Sequence, residues 1–557
     1  MGSVCAAMRL DEEILEAETG SISFEFRSRS DGNLFLLRGS DARSLEMRIV
    51  GSSLVYEAAV PSKWNKLEAE DIRSLDDGRW HSAVVTVDSA GTRLYVDGYQ
   101  AFCGTTTAFL KDLPGLTQAI LGQGDSPEIT AFRVRPEVLT SREVLALSRR
   151  VQPLVEFAAN RLSPYDVTRF CHARHGSVWL RFRVRGRMQQ GALLAASGLG
   201  REQLSVTVGP EGITYTCVSA TGERREVQAN GAWSDGDWHE VVVTVGHGAV
   251  DLYVDGFREK HAPGEFFLGE VEGLDEIVVG QDCDGVRLSG EVQRAGLYDY
   301  ALSDAQIKRL CEIEPIETDA LFDRGYRGSA SYRIPSLLTL TSGTILAGAD
   351  QRVSSANDSP NDINFVVRRS LDGGRSWEPA HTVIDCPGSG EDASSVIDSC
   401  MVQDPHTGRI HVLIDHFPGG IGQPNCWAST GFDEQGRRLL RDLDDGRYVV
   451  EADGKVTTID GQATEFRIED DGTVLRDGHP AGNFELAPGA DPAESLLAIP
   501  TSYLQIAHSD DDGVTWSKPR DLNPQLKQPW MRFLGTCPGN GIPLRHGPRP
   551  GRLVVPL

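Results

Sequence analysis

Short apolar runs separated by Asp-Gly and Gly-rich turns recur along the whole chain. Ala83 to Val87, Val241 to Val245, Phe365 to Ser370, Ile410 to Ile414 and Tyr503 to Ser509 are rich in β-branched and aromatic residues. Runs of that length and composition predict strands, and the turns between them supply the positive φ that hairpins need. Helical spacing is rare. Ser141 to Ser148 and Ser303 to Cys311 are the two segments read as short helices, the second opened by a Ser303-x-x-Gln306 capping box. The pattern predicts an all-β protein.

Part of the pattern repeats. Asp77-Gly78-Arg79-Trp80-His81, an apolar run, and Leu94-Tyr95-Val96-Asp97-Gly98 return 158 residues later as Asp235-Gly236-Asp237-Trp238-His239, an apolar run, and Leu252-Tyr253-Val254-Asp255-Gly256. Gly122-Gln123 and Gly280-Gln281 keep the same offset. A constant offset at three landmarks indicates duplication of a whole domain. Each copy resembles a laminin-G-like, concanavalin-type jelly roll, the first placed at 10–155 and the second at 156–316. Trp80, His81, Trp238 and His239 repeat in step with strand residues, so packing within the sandwich is preferred over a sugar platform. Asp97 and Asp255 precede Gly in a turn, and turn chemistry explains them. No cofactor is expected, although calcium at these aspartates stays open.

Composition narrows the function. At 557 residues the chain is too long for one core. A net charge of −25 disfavours nucleic acid and anionic membranes, so any anion site must be locally cationic. Ten cysteines are scattered singly without a CxxC or Cys/His cluster, which argues against zinc and for mostly reduced thiols. No apolar run reaches 18 residues, so no membrane span is expected. Met1 to Met8 lacks the basic region and long apolar core of a signal peptide.

Beyond a short linker at Glu312 to Thr318, the character changes. Tyr332-Arg333-Ile334-Pro335 is followed by Ser370-x-Asp372-x-Gly374-x-Ser376-Trp377, and that second pattern returns as Ser509-x-Asp511-x-Gly513-x-Thr515-Trp516. The combination resembles the sialidase (neuraminidase) family, with its Arg-Ile-Pro motif and Asp-boxes. The resemblance implies a six-bladed β-propeller at 321–557, here incomplete. The Asp-boxes lie 139 residues apart, whereas a blade takes about 40–50 residues. An inserted β module at about 430–497, rich in Asp-Gly pairs, accounts for the excess. Too few residues follow Leu321 to close six blades, so the chain reads as C-terminally truncated. The Asp-boxes themselves read as hairpin devices, away from the active face.

The resemblance also assigns residues. Arg333 matches the first of three arginines that grip the carboxylate of sialic acid, for which a bidentate guanidinium is well suited. Arg352 matches a further substrate-site arginine. Asp358 is the chosen acid/base residue, with Asp362 as rival because the loop departs by about one residue from the family pattern. Asp398 would line the pocket near the glycerol or N-acetyl end of the sugar. Phe417 and Phe533 are either an apolar wall for the acetyl methyl or buried core. The implied reaction is retaining hydrolysis of terminal α-linked sialic acid by an exo-α-sialidase, with a tyrosine nucleophile. Tyr332, Tyr448 and Tyr503 do not sit in the matching context, so this chain is expected to lack the nucleophile and to turn over little alone. The implied partners are sialylated glycans, and the implied location is secreted or at the cell surface. A non-catalytic glycan-binding protein and an intramolecular trans-sialidase are the alternatives.

Overall fold

Face-to-face antiparallel sheets account for the duplicated region. In the computed structural model, which describes all residues except 1–5, 52, 62, 70–74, 124–126, 158–159, 185–190, 220 and 491–494, the first copy pairs a six-stranded sheet with a five-stranded one. Cys5 and the start of the terminal segment fall outside the described residues. Inward side chains of both sheets, among them Phe24, Phe35, Met47, Leu54, Val85 and Leu94, form one buried cluster. The second copy repeats six strands on five around Leu180, Phe182, Leu204, Val206, Val243 and Leu252. The architecture is all-β with two jelly rolls. The nine described cysteines are free thiols, and no described helix is long and apolar enough to cross a membrane.

The repeated Trp-His and Val-Asp-Gly segments turn out to be one device made twice. His81 Nδ1 lies 2.8 Å from Asp97 Oδ2 and its Nε2 3.3 Å from Asp77 Oδ1, while the Ser82 amide donates to Asp97 Oδ1 at 2.9 Å. In the second copy His239 meets Asp255 at 2.8 Å and Asp235 at 3.1 Å, and the Glu240 amide donates to Asp255 at 2.8 Å. Asp97 and Asp255 take positive φ, 47° and 51°, as the turn reading requires. Their carboxylates do more than the turn needs: each ties its turn to the neighbouring strand through an imidazole. Trp80 is flanked by the guanidiniums of Arg27 and Arg149, and Trp238 by those of Arg181 and Arg183.

The Arg-Ile-Pro region builds two four-stranded propeller blades. The first consists of Ser331–Thr339, Ile345–Arg352, Ile363–Ser370 and His381–Ile384, paired in that order. The second consists of Ser395–Gln403, Ile410–Phe417, Tyr503–Ser509 and Arg520–Asp521. An Asp-box closes the turn between third and fourth strands in both. In the first, Asp372 accepts from the Ser376 amide at 2.9 Å and hydroxyl at 2.6 Å, Gly374 donates to Ser370 Oγ at 2.8 Å, and Trp377 Nε1 donates to the Gly374 carbonyl at 3.1 Å. The second gives 2.9, 2.6, 2.9 and 3.2 Å for Asp511, Thr515, Gly513 and Trp516. A separate seven-stranded sheet, from Leu439–Arg441 to Leu497–Ala498, is inserted between the second and third strands of the second blade. The extra sequence thus lies inside a blade. Gly539–Asn540 pairs parallel with Cys400 and Met401.

One carboxylate joins the first jelly roll to the propeller. Asp323 accepts from Asn65 Nδ2 at 2.6 Å, the Thr105 amide at 2.9 Å and the Thr105 hydroxyl at 2.5 Å. Nearby, the Tyr99 hydroxyl donates to the Ile313 carbonyl at 2.8 Å and Arg93 pairs with Asp319. The segment leaving the second jelly roll is therefore strapped across the first.

Burial disfavours charge on His81, but the Asp97 carboxylate and hydrogen bonds to Asp77 and Asp97 outweigh it, raising its pKa from 6.5 to about 10. Its stabilising contribution is fully present below pH 6.5 and is lost as the pH rises to about 10. His81→Gln is expected to lower the melting temperature of the first sandwich at pH 6 and to flatten its decline between pH 6.5 and 10, read by calorimetry across pH. Parallel declines in both proteins would show that another group sets the dependence.

Candidate functional site

Two irregular strands aim the candidate residues. In the Arg-Ile-Pro segment the ladder slips between Arg333 and Ser336, and Ile334 takes φ 56°. A β-branched residue at positive φ is strained, and Pro335 cannot donate to the ladder, so the bulge marks a place where geometry is imposed from outside. The facing strand slips between Ile397 and Cys400, with Asp398 at φ 62°. Bulges of this kind bend a strand and redirect its side chains.

The side chains converge. Arg352 Nη1 donates to Asp358 Oδ1 at 2.6 Å and to the Ala356 carbonyl at 3.0 Å. Arg333 Nη1 donates to the same Asp358 oxygen at 3.3 Å. Arg352 is fully buried, whereas Arg333 and Asp358 are 48% and 66% exposed. Arg352 forms the buried floor, and Arg333 and Asp358 form the open rim. Asp362 is buried in the adjoining loop and has Asp385 as its charged neighbour. The hydrogen bonds from both arginines go to Asp358, not to its rival.

Two aspartates absent from the sequence reading complete the cluster. Asp350 is fully buried, with its Oδ2 3.5 Å from Arg352 Nη2. Asp415, also fully buried, accepts from the Thr536 amide at 2.9 Å and from its hydroxyl at 3.4 Å, leaving Oδ2 without a partner. Both were legible in principle. Asp350 is two residues from Arg352 on one strand and therefore shares its face, and Asp415 interrupts the apolar run ending at Phe417.

Electrostatics explains how a cationic spot survives in this acidic surface. Burial pushes Asp350 well above the ordinary carboxylate range, against the pull of Arg352. Burial and then the nearby Asp358 raise Asp398, with Arg352 and Arg333 opposing. Burial raises Asp415 from 3.8 to about 8, with the Thr536 amide opposing. Asp350 and Asp398, the two raised carboxylates that interact with the arginines, are thus displaced toward their neutral forms, and the guanidinium charge is less cancelled than a count of residues suggests.

Phe533 stacks on Phe417 with centroids 6.2 Å apart and planes 4° from parallel. Phe417 is fully buried among Ile363, Ile397 and Cys426, and Phe533 lies half-buried over it. Of the two readings left open for these rings, burial places Phe417 in the core, where it backs the half-buried Phe533.

Residues 24–131 match the Laminin G domain and residues 176–308 match the Concanavalin A-like lectin/glucanases superfamily. An anhydrosialidase of Macrobdella decora is 28% identical over 339 residues, covering 52% of this chain and 44% of the relative. Sialidase B of Streptococcus pneumoniae is 26% identical over 350 residues, covering 54% of this chain and 50% of the relative. The chain spans about half the length of these curated relatives. A leech intramolecular trans-sialidase in complex with 2,7-anhydro-Neu5Ac has 20% identity and a TM-score of 0.44, over 72% of this chain and 70% of that one.

Asp415 supplies a test of the cluster. With its folded pKa at about 8 rather than 3.8, it favours the folded state fully only below pH 3.8 and withdraws that support as the pH rises to 8. Asp415→Asn is therefore expected to gain stability relative to the parent across that interval, measured by urea denaturation at several pH values. A constant difference from pH 4 to 8 would show that Asp415 ionises normally. Arg333, Arg352, Asp358 and Asp398 form one side-chain cluster on the propeller blades, and over about half its length the chain that carries it is similar to sialidases, with two laminin-G/concanavalin-like domains ahead of that cluster.

Proposed function

We propose that this chain carries the carboxylate-binding side of an exo-α-sialidase site, acting on terminal α-linked sialic acids of glycoproteins, glycolipids or oligosaccharides. The observation that supports this reading most is the convergence of Arg333 and Arg352 on one carboxylate oxygen, that of Asp358. A site already organised to hold a carboxylate can accept that of a sugar acid, and a paired guanidinium grip is worth more than a single charge in water. On binding, the sugar carboxylate would take up Arg333 and displace the Asp358 carboxylate that covers the buried Arg352. Asp358 would then be released to carry a proton to the leaving glycosidic oxygen. Asp398 would face the sugar's polar substituents, and Phe533 would meet its acetyl methyl.

Completion of the reaction would need a nucleophile. The family resemblance implies a tyrosine, whose neutral hydroxyl avoids repulsion by the substrate's own carboxylate. The chemistry calls for no cofactor. Sialylated glycans are largely presented outside cells, which favours a secreted or surface enzyme. The match to an anhydrosialidase supports a second outcome at the same site, in which a hydroxyl of the sugar replaces water and closes an anhydro ring.

Calorimetric titration of the chain with free sialic acid tests the grip without requiring turnover. Arg333→Ala is expected to weaken binding by at least about tenfold, the loss of one charge-assisted contact of about 1.4 kcal/mol or more. Affinity unchanged within about twofold would remove Arg333 from the site, because a difference that small is below 0.5 kcal/mol. Mass spectrometry of the products of an enzyme carrying this segment separates free sialic acid from its anhydro form.

A further inference from the structure

Two adjoining clefts lie where the first jelly roll meets the propeller, and both are lined by Trp64 and Arg324. One, of about 360 Å³, runs between Trp64 and the segment Gly325, Gly328, Ser329 and Ala330, and reaches Val353. The other, of about 570 Å³, is bounded by Lys66, Glu68 and Phe102. Val353 directly follows Arg352, and its amide and carbonyl bond to Asp362 and Ala330. The first cleft therefore ends against the loop that carries Asp358, whose first residue is a Cα step of about 3.8 Å from Arg352.

Its walls have the chemistry of a sugar site. Trp64 is 42% exposed and Phe102 38% exposed, so both present aromatic surface to the cleft they line. One side of the Trp64 ring rests on Gly325, where a Cβ would come within 3.2 Å of the ring. Arg324 is exposed and forms no ion pair among the described residues, whereas Lys66 is engaged with Glu68 at 3.0 Å. An indole face stacks on the apolar face of a pyranose, and a free guanidinium donates to hydroxyl or acidic substituents.

The two residues are also fixed relative to each other. Asn65, next to Trp64, is 3% exposed and donates to Asp323, next to Arg324, at 2.6 Å. Thr105 adds two further hydrogen bonds to the same carboxylate. The domain junction thus holds platform and cation in place before any ligand arrives, which lowers the ordering cost of binding.

We infer that this junction is a second saccharide subsite, in which Trp64 and Arg324 hold the sugar units that follow the terminal sialic acid of a bound glycan. The inference rests on the sialidase reading of the Arg333 cluster, and deepens it by giving the first jelly roll a direct part in substrate binding.

Calorimetric titrations of the intact chain with a sialyl trisaccharide and with free sialic acid test it. The parent is expected to bind the trisaccharide more tightly than the monosaccharide. Trp64→Ala and Arg324→Ala are each expected to weaken trisaccharide binding roughly tenfold, as loss of a stacked ring or a charged donor would, and to leave the monosaccharide unchanged. Thermal melts confirm folding, and Arg324→Ala, which breaks no ion pair among the described residues, carries the test if Trp64→Ala unfolds. Unchanged trisaccharide affinity in both variants overturns the subsite while the sialidase reading stands. Monosaccharide binding that is absent in the parent, or insensitive to Arg333→Ala, overturns that reading instead.

Discussion

Burial of the Arg352 guanidinium is the constraint around which the site is arranged. A charge with no solvent exposure must find its hydrogen bonds within the protein. Arg352 finds them in Asp358 and the Ala356 carbonyl, with Asp350 beside it. Those partners fix the loop after the second strand of the first blade, and the loop in turn offers Asp358 to Arg333. The bulges at Ile334 and Asp398 bring the neighbouring strands to the same point. Local strain in two strands is held by one buried ionic group.

An acidic protein faces a specific difficulty in binding an anion. With a net charge of −25 its long-range field opposes a sugar acid. Burial of Asp350 answers this in part, because it shifts the carboxylate beside Arg352 toward its neutral form. A side chain that looks like compensating charge in a sequence count contributes less of it in the folded chain. The exposed acids stay on the outside, where salt screens them.

Much of this was legible in the residue pattern. The jelly rolls showed themselves through a constant offset, because each strand and turn of the first copy has a counterpart in the second. The Asp-boxes were legible as hairpin devices, since Asp372 and Asp511 spend their oxygens on their own turns. Arg333, Arg352 and Asp358 carried a recognisable neighbourhood. Asp350 and Asp415 carried a weaker signal: each stands out as an acid in an apolar strand, but its partner lies on another segment or across the strand and is not given by the local pattern. Phe417 and Phe533 look alike in sequence, and their separation into core and surface is decided by the two segments that pack together. The Asp323 bonds to Asn65 and Thr105 span 258 and 218 residues, and no local pattern encodes a contact over that distance.

The most direct test is a crystal structure of this chain with sialic acid bound. The account expects the sugar carboxylate within hydrogen-bond distance of Arg333 and Arg352, with the 3.3 Å contact between Arg333 and Asp358 given up. A sugar bound elsewhere, or Arg333 still held on Asp358 with the carboxylate unmet, would contradict it.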